Sequence, residues 1–137
     1  MKTFIVTLAA ILLLMIFPLQ NVQDIITAHR IERFDEIVYG ATQKARTAGR
    51  FTPDIISELK SNITNVFPDI SEGEITVDVT TTMKYKRFEF DDRETTHYEI
   101  GAPIKKVVSL NKYLGIPDED NIYFHKMEGY VLSEVLE

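Results

Sequence analysis

Few residues in this chain have the type and spacing needed for chemistry. The three histidines, His29, His97 and His125, lie far apart, and none has a second histidine or a carboxylate at the spacing of a metal site. The acidic groups at residues 91–92 and 118–120 carry the oxygen ligands that calcium prefers. Neither has the alternating acidic loop with an interior glycine and a distal glutamate, so both predict ordinary acidic turns.

The residues needed for covalent catalysis or phosphate binding are also missing from any recognisable motif. Ser71, Ser109 and Ser133 lack the context of a nucleophile elbow, and the six glycines are isolated, so no phosphate-binding loop is predicted. The chain contains no cysteine, which excludes disulfides and thiolate metal sites. Because no nucleophile, base and orienting group can be named together, we expect neither an enzyme nor a cofactor.

The charge of the chain argues against nucleic acid as a partner. Its net charge is −6, whereas nucleic-acid binding favours a basic face. The tyrosines near the predicted strands could form a binding face, although packing on half-buried strands is the simpler role. These are Tyr85, Tyr98, Tyr123 and Tyr130. A small-molecule ligand is therefore not expected.

An unbroken apolar run occupies residues 4–17 behind a single basic residue, Lys2. Continued as a helix through Leu19, it covers about 24 Å of a hydrocarbon core that is about 30 Å thick. Extension of the helix through Ile26 closes the gap. The run predicts a membrane anchor formed by Phe4, Leu8, Ile11, Leu12, Leu13, Leu14 and Phe17, with Pro18 at its end.

A cleaved secretory signal peptide is the alternative explanation of this run. Lys2 and the length of the run fit that alternative, but the small residues expected at a cleavage site are missing from residues 18–23. We therefore expect a retained single-pass anchor. Lys2 favours a cytoplasmic N-terminus and an extracytoplasmic C-terminal domain, while Arg30 and Arg33 on the far side oppose that orientation.

A long amphipathic helix is predicted over residues 21–49, continuing out of the anchor. Pro18 is expected to kink it, and Gly49 to end it in a left-handed cap. Its apolar stripe consists of Phe34, Ile37, Val38, Ala41 and Ala45. Because a small head should cover only part of this stripe, we predict that it packs against other subunits. The competing interpretation is that the stripe is internal core.

The remaining residues, 50–137, predict a small extracytoplasmic head. A second helix should begin with Thr52 as the N-cap and Pro53 at the first position, and Pro68 should end it. Its predicted apolar face comprises Ile55, Ile56, Leu59, Ile63 and Val66. We expect this head to be a separate unit, giving boundaries at residues 1–20, 21–49 and 50–137.

Alternating apolar residues then predict a small antiparallel sheet. The first strand starts at residue 74 and continues through a bulge to Phe90, and residues 91–94 form the hairpin loop. The second strand runs to Ile104, with Pro103 indicating an edge or a break in pairing. The last strand covers residues 121–131. The predicted fold class is α+β, with a membrane helix continuing into a kinked amphipathic helix, a short helix and this sheet.

This layout resembles a type IV pilin or pseudopilin. Three short segments, residues 49–56 (GRFTPDII), 115–118 (GIPD) and 129–134 (GYVLSE), are similar to small pilin-like proteins of the tight-adherence (Tad, Flp) pilus assembly type in Gram-positive bacteria. The resemblance implies a structural or assembly role in a pilus or secretion apparatus. It implies membrane lipid and other pilin-like or pilus-assembly subunits as partners, at the cell membrane or in a surface filament.

The N-terminus departs from the pattern of that family. In the family that this chain resembles, prepilins are usually cleaved after a glycine that is followed closely by a glutamate. In this chain no glycine precedes Phe4, and no acidic residue occurs before Asp24. A retained accessory subunit is the role that this departure favours. The alternative function is a membrane-tethered ligand-binding or sensor domain, with the strand tyrosines and the acidic loops as its site.

Overall fold

The structure, a computed structural model, describes residues 1–137. Its elements are α1 (Lys2–Ala48), α2 (Pro53–Val66), a 3₁₀ turn (Glu72–Glu74), β1 (Thr76–Val79), β2 (Thr95–Lys105) and β3 (Ile122–Leu132). The strands form one antiparallel sheet in the order β1-β2-β3. The predicted α+β layout is confirmed.

The chain divides into two compact units. One, the anchor unit, contains Met1–Ile31 and Ile104–Tyr123, and the other, the head unit, contains Glu32–Pro103 and Phe124–Glu137. The second half of α1 therefore belongs to the head unit. The boundary that the sequence suggested at residue 49 does not coincide with this division.

Helix α1 runs for 47 residues without interruption, and Pro18 lies inside it. The kink expected at Pro18 stays a prediction. Gly49 follows the helix with φ of 74°, which confirms the left-handed cap. A Cβ atom at Gly49 would lie 2.7 Å from the carbonyl oxygen of Lys84, so this position also requires glycine for space.

Helix α2 begins as its sequence predicts. The side chain of Thr52 accepts a hydrogen bond from the backbone N–H of Ile55 at 3.3 Å, and Pro53 occupies the first turn, where its missing N–H costs no hydrogen bond. Ile55, Leu59 and Ile63 are buried on one face. Val66, predicted on the same face, is 42% exposed because the helix ends there.

The core of the head unit is a continuous cluster drawn from α1, α2 and the sheet. Its buried members are Phe34, Val38, Ala41, Ala45, Phe51, Ile55, Leu59, Ile63, Phe67, Ile70, Ile75, Ile100 and Ala102. Residues four apart on α1 and α2 contribute to it, as expected for helices that bury one face. The head is thus a two-layer structure in which two helices cover one face of a sheet.

The predicted long first strand is wrong beyond its first residues. Strand β1 ends at Val79, which pairs with Tyr98 of β2, and no regular strand follows until Thr95. Phe88 and Phe90, expected to alternate within that strand, are 63% and 73% exposed. Both have left-handed backbone angles, φ of 63° and 55°, which no β-strand accommodates.

Pro103 lies in the central strand, so the expectation of an edge strand is wrong. The sequence also allowed a break in strand pairing at Pro103, and the structure has such a break on the side of β2 that faces β1. Strand β1 pairs with β2 only from Tyr98 to Gly101, and Pro103 therefore costs no hydrogen bond to β1. The last predicted strand is confirmed as β3, Ile122–Leu132.

Candidate functional site

The first 15 residues, which include the start of α1, form a mainly apolar surface that nothing in the chain covers. Every residue from 1 to 15 is exposed, and the helix is long and apolar enough, by length and composition, to cross a membrane. The large apolar side chains of the predicted anchor are all 49–74% exposed. These are Phe4, Leu8, Ile11, Leu12, Leu13, Leu14 and Phe17. A helix that is apolar on all sides requires lipid or other helices around it.

The predicted subunit-packing stripe is placed differently. Phe34, Val38 and Ala45 are fully buried and Ala41 is 7% exposed, all within the core of the head unit, while Ile37 is partly buried against that core. The assignment of this stripe as a surface for other subunits is therefore corrected. The physical reason is that α2 and the sheet cover the stripe except for part of Ile37, which the sequence alone did not indicate.

The tyrosines proposed for a binding face serve mainly local packing. In the head unit, the ring of Tyr98 lies 6.5 Å from that of Phe51 in the core, and Tyr85 is half-buried. Tyr130 is 70% exposed, and its ring lies 5.0 Å from the imidazole of His97. Tyr98 is therefore a packing residue of the sheet, while most of the Tyr130 side chain stays exposed.

The acidic turns are already satisfied by groups of their own loops. The carboxylate of Asp91 accepts hydrogen bonds from the side-chain Nε and the backbone N–H of Arg93, and the side-chain bond lowers the pKa of Asp91. Asp118 accepts from the amide of Asn111 at 2.8 Å, which, with the charge of Lys112, lowers the pKa of Asp118. No three histidine, aspartate or glutamate side chains come together as a metal site.

His125 links two elements of the head unit. The Nε2 atom of His125 lies 2.7 Å from a carboxylate oxygen of Asp35, and the His125 ring packs edge-on against Phe34 at 5.5 Å. The pair joins β3 to α1 within the head unit. Its role is to fix the two elements together.

The sequence did not identify the structural role of Glu94, which was placed in the predicted hairpin loop. Its side chain is 2% exposed, and its carboxylate accepts hydrogen bonds from the backbone N–H groups of Phe88, Glu89 and Phe90. Burial alone would raise the pKa of Glu94, but these donors lower it below the ordinary value. No local pattern identifies this role, because the charged run from Asp91 to Glu94 looks like a solvated turn.

The loop around Glu94 is closed by the C-terminal segment. The backbone N–H of Ser133 donates to the carbonyl of Glu94 at 2.8 Å, and the Ser133 hydroxyl donates to the carbonyl of Lys84, also at 2.8 Å. The carboxylate thus acts as a bound anion in a ring of backbone donors. It holds Phe88 and Phe90 with their rings outward.

No protein-family model, no curated protein and no solved structure matches this chain.

Proposed function

We propose that this protein is a structural or assembly subunit of a pilus or pilus-like secretion apparatus, of the tight-adherence type that its sequence resembles. It is anchored in the cell membrane by the first half of α1, with the N-terminus in the cytoplasm and the head outside. The supporting observation is that α1 is one helix, which is exposed from its start to Met15 and contributes one face of its second half to the core of the head.

The distribution of apolar surface along α1 supports assembly through the first half of the helix. Burying apolar surface is worth about 25 cal/mol per Å², so a helix exposed on all sides strongly favours lipid or other helices over water. The stripe of Phe34, Val38 and Ala45 is already used inside the head. Helix packing with other subunits is therefore assigned to residues 4–26, where every apolar side chain except the half-buried Ile16 is exposed.

A membrane-tethered ligand-binding or sensor domain is the rival function, and it would share the same anchor. Its site would be the strand tyrosines and the acidic loops. The carboxylates of Asp91 and Asp118 are engaged by Arg93 and Asn111, and Tyr98 packs on the core. These contacts favour the assembly function over the rival.

The anchor is tested by placing charge in the middle of the apolar run. The double variant Leu12→Asp with Leu13→Asp should be lost from the membrane fraction, since each aspartate costs about 2.5–3.5 kcal/mol at the centre of a span. The matched control, Leu12→Ile with Leu13→Ile, keeps the volume and the apolar character and should stay in the membrane. A soluble mature protein beginning near residue 29 would instead show a cleaved signal peptide.

The assembly role is tested by a cysteine scan, which is clean because the chain contains no cysteine. Single cysteines at successive positions from residue 8 to residue 17, expressed with the assembly machinery in membranes, are oxidised and examined for disulfide-linked subunits. Helix packing predicts cross-links that recur about every 3.6 residues. A cysteine at Tyr39, exposed on the head, is the control. Cross-linking no greater than this control at every position would mean a lone anchor and favour the sensor function.

A further inference from the structure

The loop between β2 and β3, residues 106–121, is fastened to α1 just beyond the apolar run. Within the anchor unit, the side-chain amide of Gln20 accepts from the backbone N–H of Ser109 at 3.0 Å and donates to the carbonyl of Val107 at 3.3 Å. The amide of Gln23 donates to the carbonyl of Lys106. Both hydrogen-bonding groups of Gln20 are therefore used to hold this loop.

The position of Gln20 sets the level of the loop. The helix from Lys2 to Gln20 rises about 27 Å, close to the thickness of a hydrocarbon core of about 30 Å. Gln20 is the first strongly polar residue after the run, so in a membrane-spanning helix it lies where hydrocarbon gives way to headgroups. The loop bonded to Gln20 lies at the same level.

The loop presents apolar side chains from an ordered frame. Tyr113 is 89% exposed, Leu114 50% and Leu110 39%. They lie on one turn, in which the N–H groups of Tyr113 and Leu114 donate to the carbonyl of Leu110 at 2.9 and 3.2 Å. The buried side chain of Asn121 bonds both the N–H and the carbonyl of Val108, at 2.7 and 2.9 Å. These hydrogen bonds hold the loop in a conformation that keeps the three apolar side chains exposed.

The chemistry of this turn fits a lipid surface. Tyrosine is enriched where membranes meet water, because its ring is apolar and its hydroxyl is polar. Leucine side chains beside it gain free energy by leaving water. The segment from residue 104 to residue 121 has no net charge, since it contains three lysines and three acidic residues: Lys105, Lys106, Lys112, Asp118, Glu119 and Asp120. Contact of the loop with a membrane would therefore be driven by burial of apolar surface, and not by attraction to anionic lipid.

We infer that the 106–121 loop is a second membrane contact, which inserts Tyr113, Leu114 and Leu110 into the interfacial layer of the outer leaflet. This inference rests on the membrane-anchor part of the proposed function, and it does not require assembly into a pilus. The turn contacts the surface of the bilayer beside the membrane-spanning part of α1. It gives the anchor unit two points of contact with the bilayer.

The test uses tryptophan as a reporter, because the chain contains none. Full-length Tyr113→Trp protein is placed in phosphatidylcholine vesicles whose acyl chains are brominated either near the headgroup or near the chain end. Two matched variants accompany it, Leu12→Trp within the span and Tyr39→Trp on the exposed face of the head. Leu114→Trp serves as a second reporter of the loop.

The expected result separates the three positions. Tyr113→Trp should emit at shorter wavelength than Tyr39→Trp and be quenched more by bromine near the headgroup than by bromine near the chain end. Leu12→Trp should show the opposite depth preference. Adding Leu110→Ser and Leu114→Ser to Tyr113→Trp should abolish its blue shift, because these substitutions remove the apolar surface that the loop would bury.

Three other results would overturn the inference in distinguishable ways. Emission and quenching of Tyr113→Trp equal to those of Tyr39→Trp, with Leu12→Trp still quenched, would place the loop in water while the anchor stands. An unquenched Leu12→Trp would instead refute the anchor itself. A blue-shifted Tyr113→Trp that bromine does not quench, and whose shift depends on the number of chains per vesicle, would show a second copy of the chain covering the turn.

Discussion

At the scale of single residues, the most informative side chain is Glu94, whose ionised form is part of the fold. An ionised carboxylate is buried in a protein only when donors replace its water, and here the donors are consecutive backbone N–H groups from Phe88 to Phe90. The two phenylalanines accept unfavourable backbone angles as part of this arrangement. The carboxylate therefore determines the conformation of a loop whose own residues favour a strand.

Replacing this carboxylate by an amide should destabilise the head in a pH-dependent way. In Glu94→Gln one oxygen becomes an NH₂ donor facing N–H donors, so the midpoint of urea unfolding should fall relative to the wild type. The folded carboxyl has a pKa below its ordinary value of 4.5, so its stabilisation is present above that value and is lost as the pH falls through the folded pKa. The difference between the two proteins should therefore be full at neutral pH and shrink in acid.

The control for this comparison is Glu72→Gln, an exposed glutamate of the same unit. Its urea midpoint should follow that of the wild type at every pH. A Glu94→Gln midpoint that also matches the wild type at neutral pH would show that the carboxylate does not hold the loop.

Two glycines of the same unit should respond to alanine in opposite directions. At Gly49 alanine meets both a left-handed backbone, which costs about 1–2 kcal/mol, and the Lys84 carbonyl at 2.7 Å. At Gly40, inside α1 with nothing near its Cβ position, alanine should stabilise the helix by about 1 kcal/mol. Thermal unfolding followed by circular dichroism measures both. Equal shifts of the same sign would contradict the assignment of Gly49 as a required cap.

At the scale of elements, local signals predicted what local interactions determine. Helix α2 was predicted with its cap, its start and most of its buried face, because Thr52, Pro53 and the spacing of Ile55, Leu59 and Ile63 act within one or two turns. Residues 80–94 were predicted as strand and hairpin because Met83, Tyr85, Phe88 and Phe90 alternate. Their conformation depends on Glu94 and on Ser133, which is 49 residues from its bonding partner Lys84. No short window contains that interaction.

The role of the α1 stripe was the other point that the sequence left open. An amphipathic sequence pattern predicts that one face of a helix is buried. The pattern is the same whether that face packs against the same chain or against another subunit. Only the packing of α2 and the sheet against Phe34 and Val38 decides between them. The identification as a pilin-like protein stays a prediction, since it concerns partners outside the chain.

A charge placed on either face of α1 should separate the buried face from the exposed one. Ala41→Glu puts an unpaired carboxylate into the core, at a cost of about 3 kcal/mol or more, and should remove the cooperative unfolding transition of the head. Tyr39→Glu, on a side chain that is 59% exposed, should unfold within about 0.5 kcal/mol of the wild type. A folded Ala41→Glu head that fails to join partner subunits would restore the stripe as an assembly surface.

At the scale of the whole molecule, the two compact units do not follow the order of the chain. Each unit combines a stretch of α1 with residues that follow this helix in the sequence, residues 104–123 in the anchor unit and 50–103 with 124–137 in the head unit. A division into anchor, stem and head by residue number therefore cuts the head unit at Gly49. The core cluster shows the consequence, since Phe34, Val38, Ala41 and Ala45 lie on the other side of that cut.

Two truncations should distinguish these divisions. A protein starting at residue 50 lacks the α1 layer, leaving α2 and one face of the sheet uncovered, and should give an NMR spectrum with little dispersion and no cooperative urea transition. A protein starting at residue 32 retains that layer and should unfold cooperatively. Cooperative unfolding of the shorter protein would show that the sheet and α2 suffice without α1.

The residues of the head core are synthesised in an order that affects how the head folds. Its helical half, with Phe34 on α1 and Ile63 on α2, leaves the ribosome first and can pair at once because the two helices are close in sequence. Ala102 on β2, which completes the cluster, follows Ile63 after roughly 2–8 s at about 5–20 residues per second. During that interval a newly made helical hairpin carries an uncovered apolar face. Ser133, whose backbone N–H donates to the carbonyl of Glu94, follows Ala102 in the sequence, so the Glu94 loop closes after the core cluster can form.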